Sequence, residues 1–332
     1  MDKKYYDNLI VSASPHLVTA LDTQKTMLMV ILALIPSLLV STYVFGFSVL
    51  ILTAVCIAAS MFFEWAWNKL MKKQQTVGDL SAALTGTLIA FNVPAPCKDN
   101  YDIYWIAIVG CFVAIIVVKQ LFGGVGKNIV NPAITARIVL FISFATEMTT
   151  WPLPRMNQTA DAITGPTPLG ILSEGNLVEL PRNMELFLGY VGGSMGEVSA
   201  LALLIGGIFL VWKKIISPII PCCFIGTVFV FSLIYYGATG NGDALQMAIF
   251  HVFAGGVMLG AIFMATDYVT SPLLPAGKVV FGIGCGVITM LIRLFGQYPE
   301  GVSFSLLIMN CLTPLIDSFF QKRMYGGAKN EK

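Results

Sequence analysis

The sequence predicts an all-α membrane protein of about ten transmembrane helices, arranged as two inverted five-helix repeats. Three observations carry this reading. Of 332 residues, 56% are hydrophobic and only 11% charged, against about 25% charged in a soluble domain. Apolar runs of bilayer-crossing length, about 20 residues, recur along the chain. Basic residues then divide unevenly between the loops that those runs define.

The runs are Met27–Phe45, Phe47–Trp67, Leu80–Val93, Ile103–Lys119, Ile129–Thr149, Val198–Trp212, Ile215–Tyr236, Leu245–Ala265, Val279–Phe295 and Val302–Phe320. The third and sixth are short for a full crossing. Trp65, Trp67, Trp105, Trp151 and Trp212 all fall near run ends, where an amphipathic ring prefers the membrane interface. With the N-terminus placed in the cytoplasm, fifteen of the 20 Lys and Arg residues fall on the inside and three outside, with Arg137 and Arg293 inside spans. That split obeys the positive-inside rule. It places both termini inside and the long 150–197 loop outside. The first 26 residues hold no long apolar core, so no cleavable signal peptide is expected.

Ten spans divide into two sets of five, and an odd number per set requires the second to be inverted. The expected organisation is therefore 1–149 (tail and first repeat), 150–197 (extracytoplasmic loop region) and 198–332 (second repeat and cytoplasmic tail). Traces of the repeat remain in the sequence. Leu121-Phe122-Gly123 follows span four and Leu294-Phe295-Gly296 closes span nine; each precedes a segment with Asn and then Pro. Gly- and Pro-interrupted apolar segments at matching places point to a central site built from discontinuous helices.

The seven cysteines include no C-x-x-C pair, and there are two histidines. No metal site is expected within this chain, and no nucleic-acid partner.

Two motifs carry chemistry. Asp161-Ala162-Ile163-Thr164-Gly165-Pro166-Thr167 lies in the long outer loop. Gly165 allows close backbone approach, Pro166 and Pro168 keep the flanking chain extended, and Thr164 and Thr167 offer hydroxyls. The second motif, Gly192-Gly193-Ser194-Met195-Gly196-Glu197, runs into span six. A Gly-rich turn at a helix start suits an anion; Ser194 and Glu197 also have capping-box spacing, and both readings stand.

Together these residues resemble the family formed by the D subunit of the Rnf complex, an ion-translocating ferredoxin:NAD oxidoreductase, and its homologue, the B subunit of the sodium-pumping NADH:quinone oxidoreductase. The resemblance covers essentially the whole chain. It implies that Thr167 is the acceptor on which a flavin transferase esterifies flavin mononucleotide (FMN). Asp161, Thr164 and Gly165 would assist recognition, and Gly193, Ser194, Gly196 and Glu197 would help hold the cofactor. One departure is Pro166, which stands where the family pattern has Ala. The resemblance also implies a non-covalent riboflavin at Gly123-Gly124-Val125-Gly126-Lys127-Asn128-Ile129-Val130-Asn131. Asn128 and Asn131 would meet its ring edge; alternatively, Asn128 caps span five and Asn131 satisfies backbone freed by Pro132.

Asp79 opens span three and Asp267 closes span eight, at matching places of the repeat. Intramembrane ionisable groups default to functional hypotheses, so both are ion-path candidates; capping or lysine pairing is the alternative. Glu64 and Asp317 are weaker candidates. The expected function is a flavin-carrying subunit in a bacterial cell membrane. It would pass electrons between ferredoxin and NAD, both bound by other subunits of the complex, coupled to Na⁺ or H⁺ movement. The competing reading is a small-solute transporter or channel of the same inverted fold, without flavin.

Overall fold

The computed structural model describes residues 22–97, 100–155, 164–175, 180–240, 242–296 and 300–320. Helices dominate: α1 (Thr23–Phe45), α2 (Ser48–Leu70), α3 (Ser81–Asn92), α4 (Ile103–Gln120), α5 (Pro132–Ser143) and α6 (Ala145–Thr149). A two-residue antiparallel ladder pairs β1 (Trp151–Pro152) with β2 (Thr164–Gly165). Short helices α7 (Pro168–Ser173) and α8 (Asn183–Leu188) complete the long loop. Then follow α9 (Ala200–Trp212), α10 (Ile219–Thr239), α11 (Ala244–Phe253), α12 (Val257–Met264), α13 (Pro275–Phe295) and α14 (Val302–Phe320).

Among the described residues, six helices, α1, α2, α4, α10, α13 and α14, are long and apolar enough to cross a membrane, and α11 with α12 makes a seventh if counted as one bent span. Of the ten crossings expected from the sequence, six or seven therefore have full bilayer-crossing length. Helices α3 and α5 have 12 residues each and α9 has 13, or roughly 18–20 Å against a hydrocarbon thickness of about 30 Å. The physical causes are local. The fifth run starts three residues late because Pro132 occupies the first helical turn, with Asn131 as its cap. It stops at Ser143 because Phe144 leaves helical geometry (φ −129°, ψ 55°). The eighth run is not continuous: α11 and α12 meet at 60°, across Gly255 and Gly256, which have φ +65° and +71°. Glycine reaches these angles without steric penalty. Arg293 donates to the carbonyls of His251 (2.6 Å), Ala254 (2.8 Å) and Gly255 (3.0 Å) at the break.

The short helix α3 is nearly all buried, while α1 and α2 expose Leu39, Tyr43, Ile51 and Phe62, and α9 exposes Ile205, Ile208 and Trp212. An apolar exterior of this kind suits lipid. Close packing requires small residues: a Cβ on Gly206 of α9 would overlap the Ala33 carbonyl oxygen of α1. Helix α2 packs on α3 and α4 much as α10 packs on α11 and α13. The main core runs through α1–α5, α9, α10 and α12. A smaller core of Leu169, Leu186, Val191, Tyr236, Met247 and Phe250 fastens the long loop to α10 and α11.

The bundle thus has two distinguishable ends. At the first, α3 and α5 begin and α4, α9 and α12 finish. At the second, α3 and α13 finish, and α9 and α14 begin.

Candidate functional site

At the second end, the two sequence motifs meet. Thr167 is 9% exposed and lies between two cavities. One, of about 490 Å³ counting its open mouth, is lined by Arg137, Phe141, Trp151, Thr167, Glu300 and Phe304 among others. The other, of about 340 Å³ counted in the same way, is lined by Thr167, Leu169, Gly192, Gly193, Glu197 and Glu300 among others. Thr167 is held as the cap of α7: its Oγ1 accepts the Gly170 N–H at 3.1 Å, and Pro168 at the first helical position fixes the turn. Among the described residues, the hydroxyl proton has no acceptor and can donate. Pro166 is exposed and lines neither cavity.

The Gly-rich turn is positioned by backbone. Gly196 N–H donates to the Phe91 carbonyl (2.9 Å) and Met195 N–H to Val93 (3.5 Å), while Ser194 bridges to Pro94. A Cβ on Gly196 would come within 2.9 Å of Phe91. Among the described residues, the amides of Gly192 and Gly193 donate to no backbone acceptor, although both glycines line the Thr167 cavity. Unpaired amides beside a buried hydroxyl fit a phosphate group.

The expected capping box is replaced. Ser199, not Ser194, caps α9, accepting the Ala202 N–H at 3.3 Å. Ser194 Oγ is buried without a partner among the described residues. Glu197 is thereby free for a different partner, Arg137, at 3.2 Å. Arg137 also pairs with Glu300 and donates to Asn92 Oδ1 at 2.8 Å. One buried guanidinium therefore holds two carboxylates and the last residue of α3. Glu300 lies in the turn before α14; burial pushes its carboxyl up to about 7 against the opposing pull of Arg137.

Thr164 and Gly165 lie in the β1–β2 ladder, where a Cβ on Gly165 would press on Leu153; they line neither cavity. Asp161 lies outside the described residues.

At the first end, a cleft of about 840 Å³, counting its open mouth, is lined by Ser81, Lys119, Asn128, Asn131, Asp267 and Tyr268 with apolar neighbours. Asn131, rather than Asn128, caps α5, accepting the N–H groups of Ala133 (3.0 Å) and Ile134 (3.4 Å). Its Nδ2 donates to the Met264 carbonyl at 3.2 Å. Among the described residues, the Asn128 side chain makes one hydrogen bond, from Nδ2 to the Val130 carbonyl at 3.2 Å. Asp267 lines this cleft directly; burial pushes its carboxyl upward, opposed by the Thr270 hydroxyl and the amides of Val269 and Tyr268. Asp79 sits behind the wall, accepting from Ser81 N–H (2.8 Å) and Oγ (2.6 Å). Ser81 in turn receives Lys119 at 2.6 Å.

Lys119 is tied to Glu64 at 2.9 Å, and both are almost fully buried. Thr76 (2.9 Å) and Gln120 (3.0 Å) donate to the same Glu64 oxygen. The π-helical winding of Val113–Gln120, a distortion common at functional sites, brings two successive side chains to one carboxylate.

Sequence reasoning missed Asn92, Glu300 and the Lys119–Glu64 pairing. Each is a polar or ionisable group in or beside an apolar run, which was the available signal. A polar thread joins the two ends: Asn92 Nδ2 reaches Met264 Sδ at 3.7 Å, and the Met264 carbonyl receives Asn131.

An apolar bundle of six or seven helices long enough to cross a bilayer defines a multi-pass membrane protein. Its sequence places it further. A model of the NQR2, RnfD, RnfE family matches residues 10–326, and the chain belongs to that family. It is 45% identical to the D subunit of the Na⁺-translocating ferredoxin:NAD⁺ oxidoreductase complex of Acetobacterium woodii, over 98% of each chain. It is 40% identical to the D subunit of the proton-translocating ferredoxin:NAD⁺ oxidoreductase complex of Clostridium ljungdahlii, over 95% of this chain and 96% of that one. It is also 34% identical to the D subunit of the ion-translocating oxidoreductase complex of Actinobacillus succinogenes, over 96% and 98%.

Proposed function

We propose that this chain is the D subunit of an Rnf-type complex, an ion-translocating ferredoxin:NAD oxidoreductase, and that it carries FMN on Thr167 and riboflavin in the Asn128 cleft. The observation that carries the reading is the convergence of Thr167, Gly192 and Gly193 on one cavity. Bound flavin supplies one- and two-electron transfer; the rest is the work of this chain. Thr167 offers the esterified oxygen, and the amides of Gly192 and Gly193 offer donors for the phosphate. Arg137 offsets part of the negative charge of Glu197 and Glu300 beside it. In the other cleft, Asn128 offers an amide edge, with Asn131 holding α5 in position beside it.

Ferredoxin and NAD bind other subunits of the complex in this reading, and a flavin transferase loads Thr167. The coupling ion is Na⁺ or H⁺, since relatives of each kind are similar to this chain. Asp267 and Asp79 are candidates for its path at the first end. The two five-helix sets are inverted repeats with both termini cytoplasmic and Thr167 outside. The matching packing of α2 and α10 and the short or broken third helix of each set support this.

The deciding experiment is flavin fluorescence on a denaturing gel after co-production with a flavin transferase. A band in the wild type that is absent in Thr167→Ala is expected. Wild-type protein without covalent flavin under those conditions returns the chain to the transporter reading.

A further inference from the structure

Arg137 faces two carboxylates with one positive charge, and the two differ in access. The Glu197 side chain is 8% exposed, whereas Glu300 retains 18% and lines both cavities beside Thr167. If Glu300 is neutralised, Arg137 remains paired with Glu197 and bonded to Asn92, so no buried charge is stranded. The charged groups facing Glu300 are Arg137 on α5, Glu197 before α9 and Arg293 on α13. Arg293 spends its hydrogen bonds on the carbonyls at the α11–α12 break. Among the described residues, the ionisable side chains lining the two cavities are Arg137, Glu197 and Glu300 alone.

We infer that Glu300 is a proton-exchanging carboxylate of the Thr167 site, binding one proton from the outer water when an electron arrives on the attached cofactor and releasing it when that electron leaves. The inference rests on the flavin reading of Thr167. The balance is simple. One electron from the reductant adds one negative charge to the flavin. One proton from water forms an O–H bond on Glu300, and the local charge is unchanged. Oxidation reverses both. In a low-dielectric site, uncompensated charges a few ångströms apart interact strongly. The position of the Glu300 carboxyl near 7 makes proton uptake accessible at ordinary pH.

The test uses the full chain, flavinylated by a co-produced transferase. Gel fluorescence first establishes the Thr167 linkage; its absence refutes the flavin reading and, with it, the inference. With the linkage present, the potential of the covalent flavin is titrated between about pH 5 and 9, a window that brackets the Glu300 carboxyl. The wild type is expected to show a pH-dependent segment approaching the one-proton, one-electron slope, about 59 mV per tenfold change in proton concentration. Glu300→Gln is expected to flatten that segment and Glu300→Asp to keep it. An unchanged slope in Glu300→Gln overturns the inference. If that variant does not fold, wild-type protein with ¹³C-labelled glutamate decides. A reduction-induced infrared band of a labelled protonated carboxyl is expected, and its absence overturns the inference.

Discussion

The two ends of the bundle handle charge differently. At the first end, the cation nearest the cleft, Lys119, is consumed by Glu64 at 2.9 Å, with Thr76 and Gln120 completing the shell of one oxygen. The cleft is left with neutral amides and hydroxyls beside Asp267. At the second end, Arg137 is shared between Glu197 and Glu300, and two glycine amides have no backbone acceptor among the described residues beside Thr167. The first end matches its cation to one carboxylate, whose second oxygen has no partner among the described residues; the second end divides one cation between two carboxylates. The contrast teaches that burial of ions alone does not mark a binding site. What matters is how the cation is matched to the carboxylates around it.

The sharpest way to break this contrast is at the covalent link. Thr167→Ala is expected to abolish covalent flavin while leaving non-covalent flavin unchanged, read by gel fluorescence and by extraction. Loss of both would mean that the ends are not independent. Next in size is Arg137→Leu, which strands two buried carboxylates. Breaking a buried pair costs about 3–5 kcal/mol, so a clear drop in the detergent melting temperature is expected. Lys119→Met is expected to cost less, because it strands one carboxylate rather than two; a loss larger than that of Arg137→Leu would contradict the comparison.

A pH comparison follows. The folded Glu300 carboxyl, near 7 rather than the ordinary 4.5, binds its proton more tightly than in the unfolded chain. Its contribution to stability is therefore present at low pH and lost as pH rises from about 4.5 through about 7. The wild-type melting temperature is expected to fall across that window relative to Glu300→Gln. The smallest effect is expected for Asn128→Leu, a several-fold loss of non-covalent riboflavin with covalent FMN retained; unchanged riboflavin content would remove Asn128 from that site.

Much of the fold was legible because apolar runs dictate helices wherever a bilayer is the solvent. The predicted Val302–Phe320 span matches α14, and the Ile103–Lys119 span ends one residue short of α4. The breaks were less legible. Pro132 announced the late start of α5, but the 60° bend between α11 and α12 rests on Gly255 and Gly256 together with Arg293, 38 residues away. The site divided in the same way. Thr167, Gly193 and Glu197 were local signals and converge in space. Glu300 was not found because its meaning comes from Arg137, 163 residues earlier. The cap of α9 was misplaced from Ser199 to Ser194 because two serines precede that helix, and only backbone direction decides between them.

Helix α3 has one further consequence. Ser81 at its start belongs to the Lys119 network, and Asn92 at its end to that of Arg137. A helix turns about 100° and rises about 1.5 Å per residue, so its twelve residues act as a ruler that also fixes a dial setting. Volume-conserving substitutions along its middle keep both readings, whereas a side chain at Gly86 would meet the Cys56 carbonyl of α2. A single inserted or deleted residue would rotate one terminus away from its partners while the other stayed engaged. Across relatives, α3 should therefore drift in composition but hold its length.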